Sequence, residues 1–390
     1  MPPTLRDQLP ALANKAYFNY GGQGPLPTPS LEAMVTAWQR IQELGPFTDD
    51  VWPFVESTVA RLRRRLGCWL GVPPHRLSFT ENVTSGCVLP LWGLPWQAGD
   101  ALLLSDCEHP GVVAACRELA HRHGLSLHSL PVADLLGSPA ATDAAVLERL
   151  EAALTPRTRL VVLSHLLWNT GQIMPLEQVA AHLQDHPRRP WLLADAAQAL
   201  GSLPVAAAAA VVDIYACTGH KWCCGPEGLG VVALSERVLA EARPTLIGWR
   251  SLSHEGTPAS GFHADGRRFE VATSCIPLFA GLDCSLQLLE TEGSAEERHA
   301  RLRRSAGDLW RQLQDVPGLD TLLQVEPPAG LVSFTLAGMS PVEVVGQLGR
   351  QRVWLRSLDQ PACLRACTHL PTNAADLEAL LNALRSTAKT

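Results

Sequence analysis

Lysine is almost missing from this 390-residue sequence, in which Lys15, Lys221 and Lys389 are the only three. Lysine and arginine together number 32, so nearly all of the positive charge is carried by arginine. Lys15 and Lys389 lie near the ends of the chain, whereas Lys221 lies in an apolar, glycine-rich middle segment. Because lysine, unlike arginine, loses its proton readily when it is buried, a lysine kept at that place indicates a role other than charge.

Other absences narrow the class of protein. No apolar run reaches the length of a membrane span, and the first residues lack the charged start and apolar core of a signal peptide. The eleven cysteines show no repeated spacing, so neither a disulfide framework nor a metal site is expected. The net charge of −6, without a basic stripe, argues against nucleic-acid binding. We therefore expect a cytoplasmic protein with no membrane or nucleic-acid partner.

Strand-like apolar runs alternate with amphipathic stretches through the first two thirds of the chain. Helices are predicted over Pro110–His123, Asp143–Leu154 and Leu176–Leu183. This alternation predicts an α/β fold with a mainly parallel sheet covered on both faces, and functional residues just past the carboxyl ends of its strands. The predicted strands are Ala101–Ser105, Leu160–Ser164, Trp191–Ala194, Ile214–Cys217 and Gly230–Ala233.

The last third of the chain predicts a smaller α+β domain. We place the large domain at residues 18–279 and the small domain at residues 280–390, with residues 1–17 packing on the small one. The predicted elements of this part are helices over Ile276–Leu289 and Ala295–Leu313, strands over Leu331–Leu336, Arg352–Leu355 and Leu364–Cys367, and a closing helix near Ala375–Leu384.

Two candidate residues follow directly from predicted strands. Lys221 comes after the Ile214–Cys217 strand, and an apolar site disfavours its ammonium form, which makes it a usable amine for Schiff-base chemistry. Asp195 ends the Trp191–Ala194 strand, where a carboxylate can accept a hydrogen bond from a pyridinium ring. The alternatives are a surface lysine in a loop and an aspartate that caps a helix.

Further candidates are weaker when taken one at a time. The Thr80–Gly86 segment precedes a helical pattern and suits a phosphate, although plain capping by Ser and Thr is common. His109 can stack on a ring or carry a proton, but a lone histidine is more often structural. Arg356 and Arg365 can each hold a substrate carboxylate or make an ordinary ion pair.

Taken together, these segments resemble the class V, fold type I pyridoxal-phosphate (PLP) enzymes, which include cysteine desulfurases and selenocysteine lyases. A further likeness is to cyanobacterial L-cysteine/cystine C–S lyases. The segments that carry the first resemblance are Thr80–Gly86, Glu108–His109, Ser164–His165, Asp195–Gln198, Gly219–Lys221 and Phe269–Thr273. Those that carry the second are Tyr17–Gly24, Asp106–Gly111, Ser164–Gln172, Ile247–Ser251, Leu355–Ser357 and Leu364–Cys367.

The resemblance implies a PLP cofactor and a role for each matched residue. Lys221 would carry PLP as an aldimine and later move protons, while Asp195 would pair with the ring nitrogen and Gln198 would lie beside the ring hydroxyl. His109 would stack on the ring, and Arg365, with Arg356, would bind the substrate carboxylate. The implied phosphate contacts are the Val83 backbone, Thr84, Thr218, His220 and, from the other subunit of a homodimer, Thr273.

One departure bears on the reaction. Desulfurases carry a nucleophilic cysteine on a small-domain loop, but the short segment Ser357–Ala362 has none, and Cys363 is expected to lie in the next strand as a structural thiol. This favours β-elimination of L-cystine, and less readily of L-cysteine, to pyruvate, ammonia and a persulfide for a sulfur-acceptor protein. The alternatives are a cysteine desulfurase and a catalytically silent PLP-fold scaffold.

Overall fold

A seven-stranded sheet and a four-stranded sheet organise the chain in a computed structural model that describes residues 3–254 and 261–388. Lys389 therefore lies outside the described residues. In chain order the strands are β1 (Ala16–Tyr17), β2 (Leu77–Thr80), β3 (Ala101–Ser105), β4 (Ser126–Leu130), β5 (Thr158–Val162), β6 (Trp191–Asp195), β7 (Ile214–Thr218), β8 (Gly230–Leu234), β9 (Leu319–Thr321), β10 (Leu331–Leu336), β11 (Val353–Trp354), β12 (Arg356–Asp359) and β13 (Ala362–Cys367).

The α-helices alternate with the strands in the first two thirds of the chain and dominate the rest. In chain order they are α1 (Thr28–Leu44), α2 (Trp52–Leu70), α3 (Val83–Trp92), α4 (Pro110–His123), α5 (Pro139–Ala153), α6 (Leu176–Gln184), α7 (Ala206–Val211), α8 (Glu236–Glu241), α9 (Ile276–Glu290), α10 (Ala295–Leu313), α11 (Pro341–Arg350) and α12 (Ala374–Thr387). None of the helices in the described part of the chain is long and apolar enough to cross a membrane.

The large sheet confirms the predicted mainly parallel α/β fold. Its strand order is β2-β8-β7-β6-β5-β3-β4, and β8 alone runs in the direction opposite to the other six strands. Both faces are covered: Leu192 and Ala194 of β6 belong to one hydrophobic core, and Trp191 and Leu193 belong to another on the opposite face. The continuous apolar runs of the sequence follow from this double burial.

Two strands of the large sheet, β5 and β4, differ from the prediction. The strand expected at Leu160–Ser164 begins two residues earlier, because Thr158 is buried and pairs with Ala101. β4 was not predicted at all, since four of its five residues are exposed and give no apolar alternation. It lies at the edge of the sheet, beside β3.

The smaller sheet is antiparallel, with the order β12-β13-β10-β9. Helix α10 and strand β10 have the predicted bounds. The Ser357–Ala362 segment forms most of a tight hairpin, in which Arg356 and Arg365 are register partners on β12 and β13. This hairpin is the part of the small sheet that reaches the site described below.

The N-terminal segment contacts both parts of the fold. β1 pairs with β11, and Arg6 makes a two-pronged ion pair with Asp376 on α12, with N–O distances of 2.6 and 3.0 Å. Leu5 and Leu9, by contrast, pack in a core of the large sheet. The division at residue 280 stays a prediction, and it falls inside α9, whose buried residues join that same core.

Candidate active site

A cavity of about 210 Å³ lies past the carboxyl ends of the parallel strands, between the large sheet and the β12–β13 hairpin. Its charged side chains come from four separate segments, which follow β3, end β6, follow β7 and form the hairpin. The residues that line it are Gly21, Gly22, His109, Ser164, Leu166, Trp168, Asp195, Ala197, Gln198, Lys221, Arg356 and Arg365. The structure thus brings together six of the residues predicted from the sequence.

Lys221 lies three residues beyond the end of β7, on the loop that returns to β8. Its side chain is half-buried in the cavity wall, and burial lowers the pKa of its amine to about 8, although the Asp195 carboxylate opposes this shift. The Arg365 and Arg356 guanidinium groups lower the pKa further. The amine is therefore partly unprotonated near neutral pH, which is the form that attacks a carbonyl or accepts a proton.

Asp195 is the last residue of β6 and is buried. Its Oδ1 accepts a hydrogen bond from the Ala197 backbone N–H at 2.9 Å, and no donor reaches Oδ2 among the described residues. No helix begins here, because the next one, α7, starts at Ala206. A buried carboxylate with one oxygen open to a cavity suits a cationic or N–H ligand, which would offset its desolvation.

Gln198 joins three segments around the cavity through both ends of its amide. Its Oε1 accepts a hydrogen bond from the Trp222 indole N–H at 2.8 Å, and its Nε2 donates to the Gly21 carbonyl oxygen at 2.8 Å. A Cβ at Gly21 would lie 2.7 Å from Gln198 Oε1 and 3.0 Å from Arg365 Nη2, so a larger residue there would displace these two cavity side chains. The close approach lets the N-terminal segment form one wall of the site.

Two adjacent residues that follow β3 lie in different environments, His109 at the cavity and Glu108 in the protein interior. The His109 ring borders the cavity, and its Nδ1 accepts a hydrogen bond from the Gly111 N–H at 3.2 Å, while partial burial lowers its pKa. The Glu108 carboxyl is buried and accepts hydrogen bonds from the Ser105 hydroxyl at 2.5 Å and from the N–H and hydroxyl of Ser164, both at 2.8 Å. Burial, aided by the nearby Asp195 charge, raises the pKa of Glu108 to about 7.

Arg365 is a buried cation without an anion. Only 2% of its surface is exposed, yet its Nη1 donates to the Trp168 carbonyl oxygen at 2.8 Å and its Nε has no hydrogen-bond partner. Arg356, its cross-strand neighbour, is exposed and also lines the cavity. Neither guanidinium makes an ion pair with a carboxylate of the described residues, so an anionic ligand is the expected partner.

The predicted phosphate contacts lie beside the cavity and not in its lining. Asn82 caps α3 by accepting the Ser85 N–H, and its carbonyl oxygen accepts the Gly86 N–H, so the N–H groups of Val83 and Thr84 are left for an anion. The residue that caps this helix is thus an asparagine, and not a Ser or Thr as the capping alternative predicts. Thr218 and His220 are joined by a 2.7 Å hydrogen bond between the hydroxyl and ring Nδ1.

Thr273 is not brought to this cavity within one chain. It is exposed and lines a separate surface cavity of about 400 Å³. Its neighbours there include three exposed aromatic side chains, Trp38, Phe47 and Trp249. A contact between Thr273 and a phosphate would therefore need a second subunit, and it stays a prediction.

Several cavity residues have no role that could be predicted from the sequence. Gly21, Gly22, Ser164, Leu166 and Trp168 lie in segments that carry the family resemblance, but only their position in the fold shows that they line the site. No cysteine belongs to the lining, and no cluster of three or more potential metal ligands occurs in the described ranges. Cys363 lies in β13 and is fully buried, as expected.

These residues fit a PLP cofactor. Lys221 offers an amine of lowered pKa, and the open Oδ2 of Asp195 suits a protonated ring nitrogen. The first turn of α3, with Thr218 and His220, offers N–H and side-chain donors to a phosphate. The buried Arg365 remains available for a substrate carboxylate.

Two solved structures of one protein, C-DES, resemble the chain along its whole length. A complex of the cystine C–S lyase C-DES with its product cysteine persulfide is 43% identical, with a TM-score of 0.92, and covers 97% of this chain and 99% of that one. A lysine-to-alanine mutant of C-DES, with glycine covalently linked to the PLP cofactor, is 42% identical, with a TM-score of 0.93 and 99% of each chain covered.

Curated relatives carry other names. Isopenicillin N epimerase of Streptomyces clavuligerus is 31% identical over 94% of this chain and 93% of its own length. A probable cysteine desulfurase of Pseudomonas aeruginosa is 29% identical over 83% and 80%, respectively. Residues 55–379 match the aminotransferase class V family, and the protein therefore belongs to this family of PLP-dependent enzymes.

Proposed function

We propose that the protein is a C–S lyase that performs β-elimination on L-cystine, and less readily on L-cysteine. The products from cystine would be pyruvate, ammonia and cysteine persulfide. The observation that carries the proposal is the pair of arginines at the cavity, Arg356 and Arg365, which have no carboxylate partner in the part of the chain that the structure describes. The likeness to C-DES supports the same chemistry.

The two guanidinium groups suit a substrate with two carboxylates. A bidentate pair between a guanidinium and a carboxylate is among the stronger contacts of an amino acid with a protein. Arg365, which is buried beside Lys221, would hold the carboxylate of the half that reacts, and the exposed Arg356 would attract the other carboxylate of cystine. L-cysteine has only one carboxylate, so it would form this pair with only one of the two arginines.

The protein's own residues would control the proton. PLP, when bound, supplies an electron sink for the charge that develops at the substrate Cα. The neutral Lys221 amine, favoured by its lowered pKa, would accept the Cα proton, while Asp195 would keep the ring nitrogen protonated. His109 would cover the ring face and keep water from it.

The leaving group decides between cystine and cysteine. In cystine the Cβ–S bond breaks, its electron pair goes to sulfur, and cysteine persulfide departs. The remaining three-carbon fragment takes up water to give pyruvate and ammonia. Because a persulfide anion is a weaker base than the hydrosulfide anion that cysteine would release, it leaves faster, and cystine should be the better substrate.

A desulfurase is the main alternative, and the position of the thiols argues against it. Such an enzyme needs a thiolate that reaches the substrate sulfur. All eleven cysteines are described; Cys363 is buried in β13, and burial raises its pKa to about 11. The exposed thiols of Cys68 and Cys275 are not part of the cavity lining.

We extend the proposal to a cytoplasmic homodimer that passes sulfur to an acceptor protein. The exposed aromatic side chains around Thr273 suit burial against a second copy, and that copy would receive Thr273 at its phosphate site. The persulfide product is reactive toward thiols, so a thiol-bearing acceptor must consume it. The residues between 273 and 277 would then be part of the interface.

Product identification tests the function. The purified protein, supplied with PLP, is incubated with L-cystine and separately with L-cysteine, and the three-carbon product is identified by mass spectrometry. We expect pyruvate from cystine at a rate above that from cysteine, and no product from a Lys221→Ala variant. Alanine from cysteine would overturn the lyase in favour of a desulfurase. Inversion at Cα without pyruvate would instead indicate an epimerase.

A further inference from the structure

We propose that Trp168 is a specificity-determining residue whose indole receives the disulfide sulfurs of the substrate. This inference rests on the proposed β-elimination of a disulfide amino acid and names the part of the site that selects it. Trp168 follows β5 and lines the cavity beside His109 and Arg365. The indole is only half-buried and forms part of the cavity wall, so part of its surface is open to a bound substrate.

The apolar part of the cavity is small and well defined. Most lining side chains are charged or polar, and the apolar ones are those of Leu166, Trp168 and Ala197. A substrate whose carboxylate pairs with Arg365 and whose Cα faces Lys221 must place its sulfur-bearing end against the remaining walls. Of these, Trp168 offers the largest apolar surface.

The indole of Trp168 is held in one orientation. Its Nε1 donates to the Cys107 carbonyl oxygen at 3.0 Å, and its ring meets the His109 ring edge-on, with a centroid distance of 6.2 Å and an interplanar angle of 63°. The Trp168 carbonyl oxygen accepts the Arg365 Nη1 at 2.8 Å. The indole is therefore fixed relative to both the ring-stacking histidine and the carboxylate-binding arginine.

The following residue ties the Trp168 segment to the small sheet. The Asn169 side chain donates to the Gln360 carbonyl oxygen at 3.2 Å, and the Ser333 hydroxyl donates to the Asn169 carbonyl oxygen at 2.6 Å. Gln360 lies in the turn of the hairpin that carries Arg356 and Arg365. The position of the Trp168 segment relative to the hairpin, and to the Arg365 guanidinium in particular, is thus set by direct contacts.

Sulfur and indole are chemically matched. Divalent sulfur is polarizable and makes favourable contacts with aromatic rings, a gain that corresponds to about two- to tenfold in binding. A disulfide presents two such sulfurs and no strong hydrogen-bonding group, so it suits an apolar wall. Glycine has nothing beyond Cα to meet this wall, and it serves as an internal reference.

The test compares cystine with glycine in a protein that does not turn them over. The Lys221→Ala variant is combined with Trp168→Phe or Trp168→Leu, and each protein is loaded with PLP. Dissociation constants are measured from the change in the visible absorbance of the cofactor on titration with each amino acid. We expect Trp168→Leu to weaken cystine binding about two- to tenfold and to leave glycine binding unchanged. Trp168→Phe, which keeps an aromatic face, should lie between.

An equal loss of binding affinity for cystine and glycine, or no loss for either, would overturn the proposal. So would a Lys221→Ala protein that binds glycine but not cystine. If Trp168→Leu lowers the thermal midpoint of unfolding, the comparison of cystine with glycine binding is made with Trp168→Phe instead. Failure of the proposed function is separate, because the protein with Lys221 intact would then form no pyruvate from cystine, whatever the ratio of the two dissociation constants.

Discussion

Arg356 and Arg365 are register partners across the β12–β13 hairpin, and both line the cavity that contains Lys221. One guanidinium is buried and the other exposed, although they lie on neighbouring strands. The buried one contacts the Trp168 carbonyl oxygen and no carboxylate of the described chain. This asymmetry leads us to expect different consequences when each arginine is removed.

Arg365→Ala should impair both cystine and cysteine as substrates. The variant loses a charge-assisted pair worth about 1.5–3 kcal/mol, so kcat/KM should fall about ten- to 150-fold for each amino acid. Arg356→Ala should impair cystine more than cysteine, because only cystine has a second carboxylate. Steady-state kinetics with both amino acids check this difference, and equal effects of Arg356→Ala on the two substrates would contradict it.

Lys221 should be the residue that holds the cofactor covalently. The protein loaded with PLP should show visible absorbance, and borohydride should fix the cofactor to the peptide that contains Lys221. Lys221→Ala should abolish turnover, because no other lysine of the described residues lines the cavity. A Lys15→Ala variant is the matched control and should keep its activity, while reduced cofactor found on Lys15 or Lys389 would refute the assignment.

Much of this site could be predicted from the sequence because parallel strands end at one edge of a sheet. Asp195, His109 and Lys221 each follow or end an apolar run, and the fold brings them together there. The contribution of Gly21 and Trp168 could not be derived in this way. Their positions depend on contacts between distant segments, such as the approach of Gly21 to Gln198, and no local pattern encodes these contacts.

Helices and strands were predicted well where buried and exposed residues follow a regular pattern, and poorly where they do not. The bounds of α4 and α10 follow from clear amphipathic patterns. β4 was missed because an exposed edge strand leaves no such pattern, and β12, an edge strand with one buried residue, was missed for the same reason. The role proposed for Thr273 would need a second chain, and the contacts of a single subunit do not include it.

Cys363→Ala should keep most of the pyruvate-forming activity with cystine. The thiol is buried in β13 and has a raised pKa, so it is a poor nucleophile, and a lyase does not need one. Product analysis with cystine and cysteine checks this, with Cys68→Ala as a control for an exposed thiol. An inactive Cys363→Ala protein, together with alanine from the native enzyme, would favour the desulfurase.

Subunit exchange should test whether Thr273 serves a partner's site. A Lys221→Ala chain and a Thr273→Asp chain should each be impaired, the second because a carboxylate would oppose the phosphate. In the mixed dimer one site would combine Lys221 of one chain with Thr273 of the other, so activity should rise when the two proteins are mixed. Mixing Lys221→Ala with a Lys221→Ala/Thr273→Asp double variant is the control and should give none. A fully active monomer would rule the model out.

Glu108 should make the protein less stable as the pH rises toward and past neutrality. Its pKa is about 7 in the folded protein and 4.5 ordinarily, so between these values the folded state binds more protons, and raising the pH favours unfolding. The loss, over two and a half pH units, is on the order of 3 kcal/mol. Glu108→Gln removes this titration while keeping an amide oxygen that accepts the Ser105 and Ser164 donors.

The thermal midpoint of Glu108→Gln, relative to that of the native protein, should therefore increase from pH 5 to pH 8. Differential scanning calorimetry of both proteins without PLP measures this trend, since cofactor binding has its own pH dependence. Glu118→Gln is the matched control, because Glu118 is exposed on α4 and pairs with Arg122, and it should show no such trend. A constant difference between Glu108→Gln and the native protein across this range would mean that Glu108 is ionised in the folded state throughout, held so by the Ser105 and Ser164 donors despite its burial.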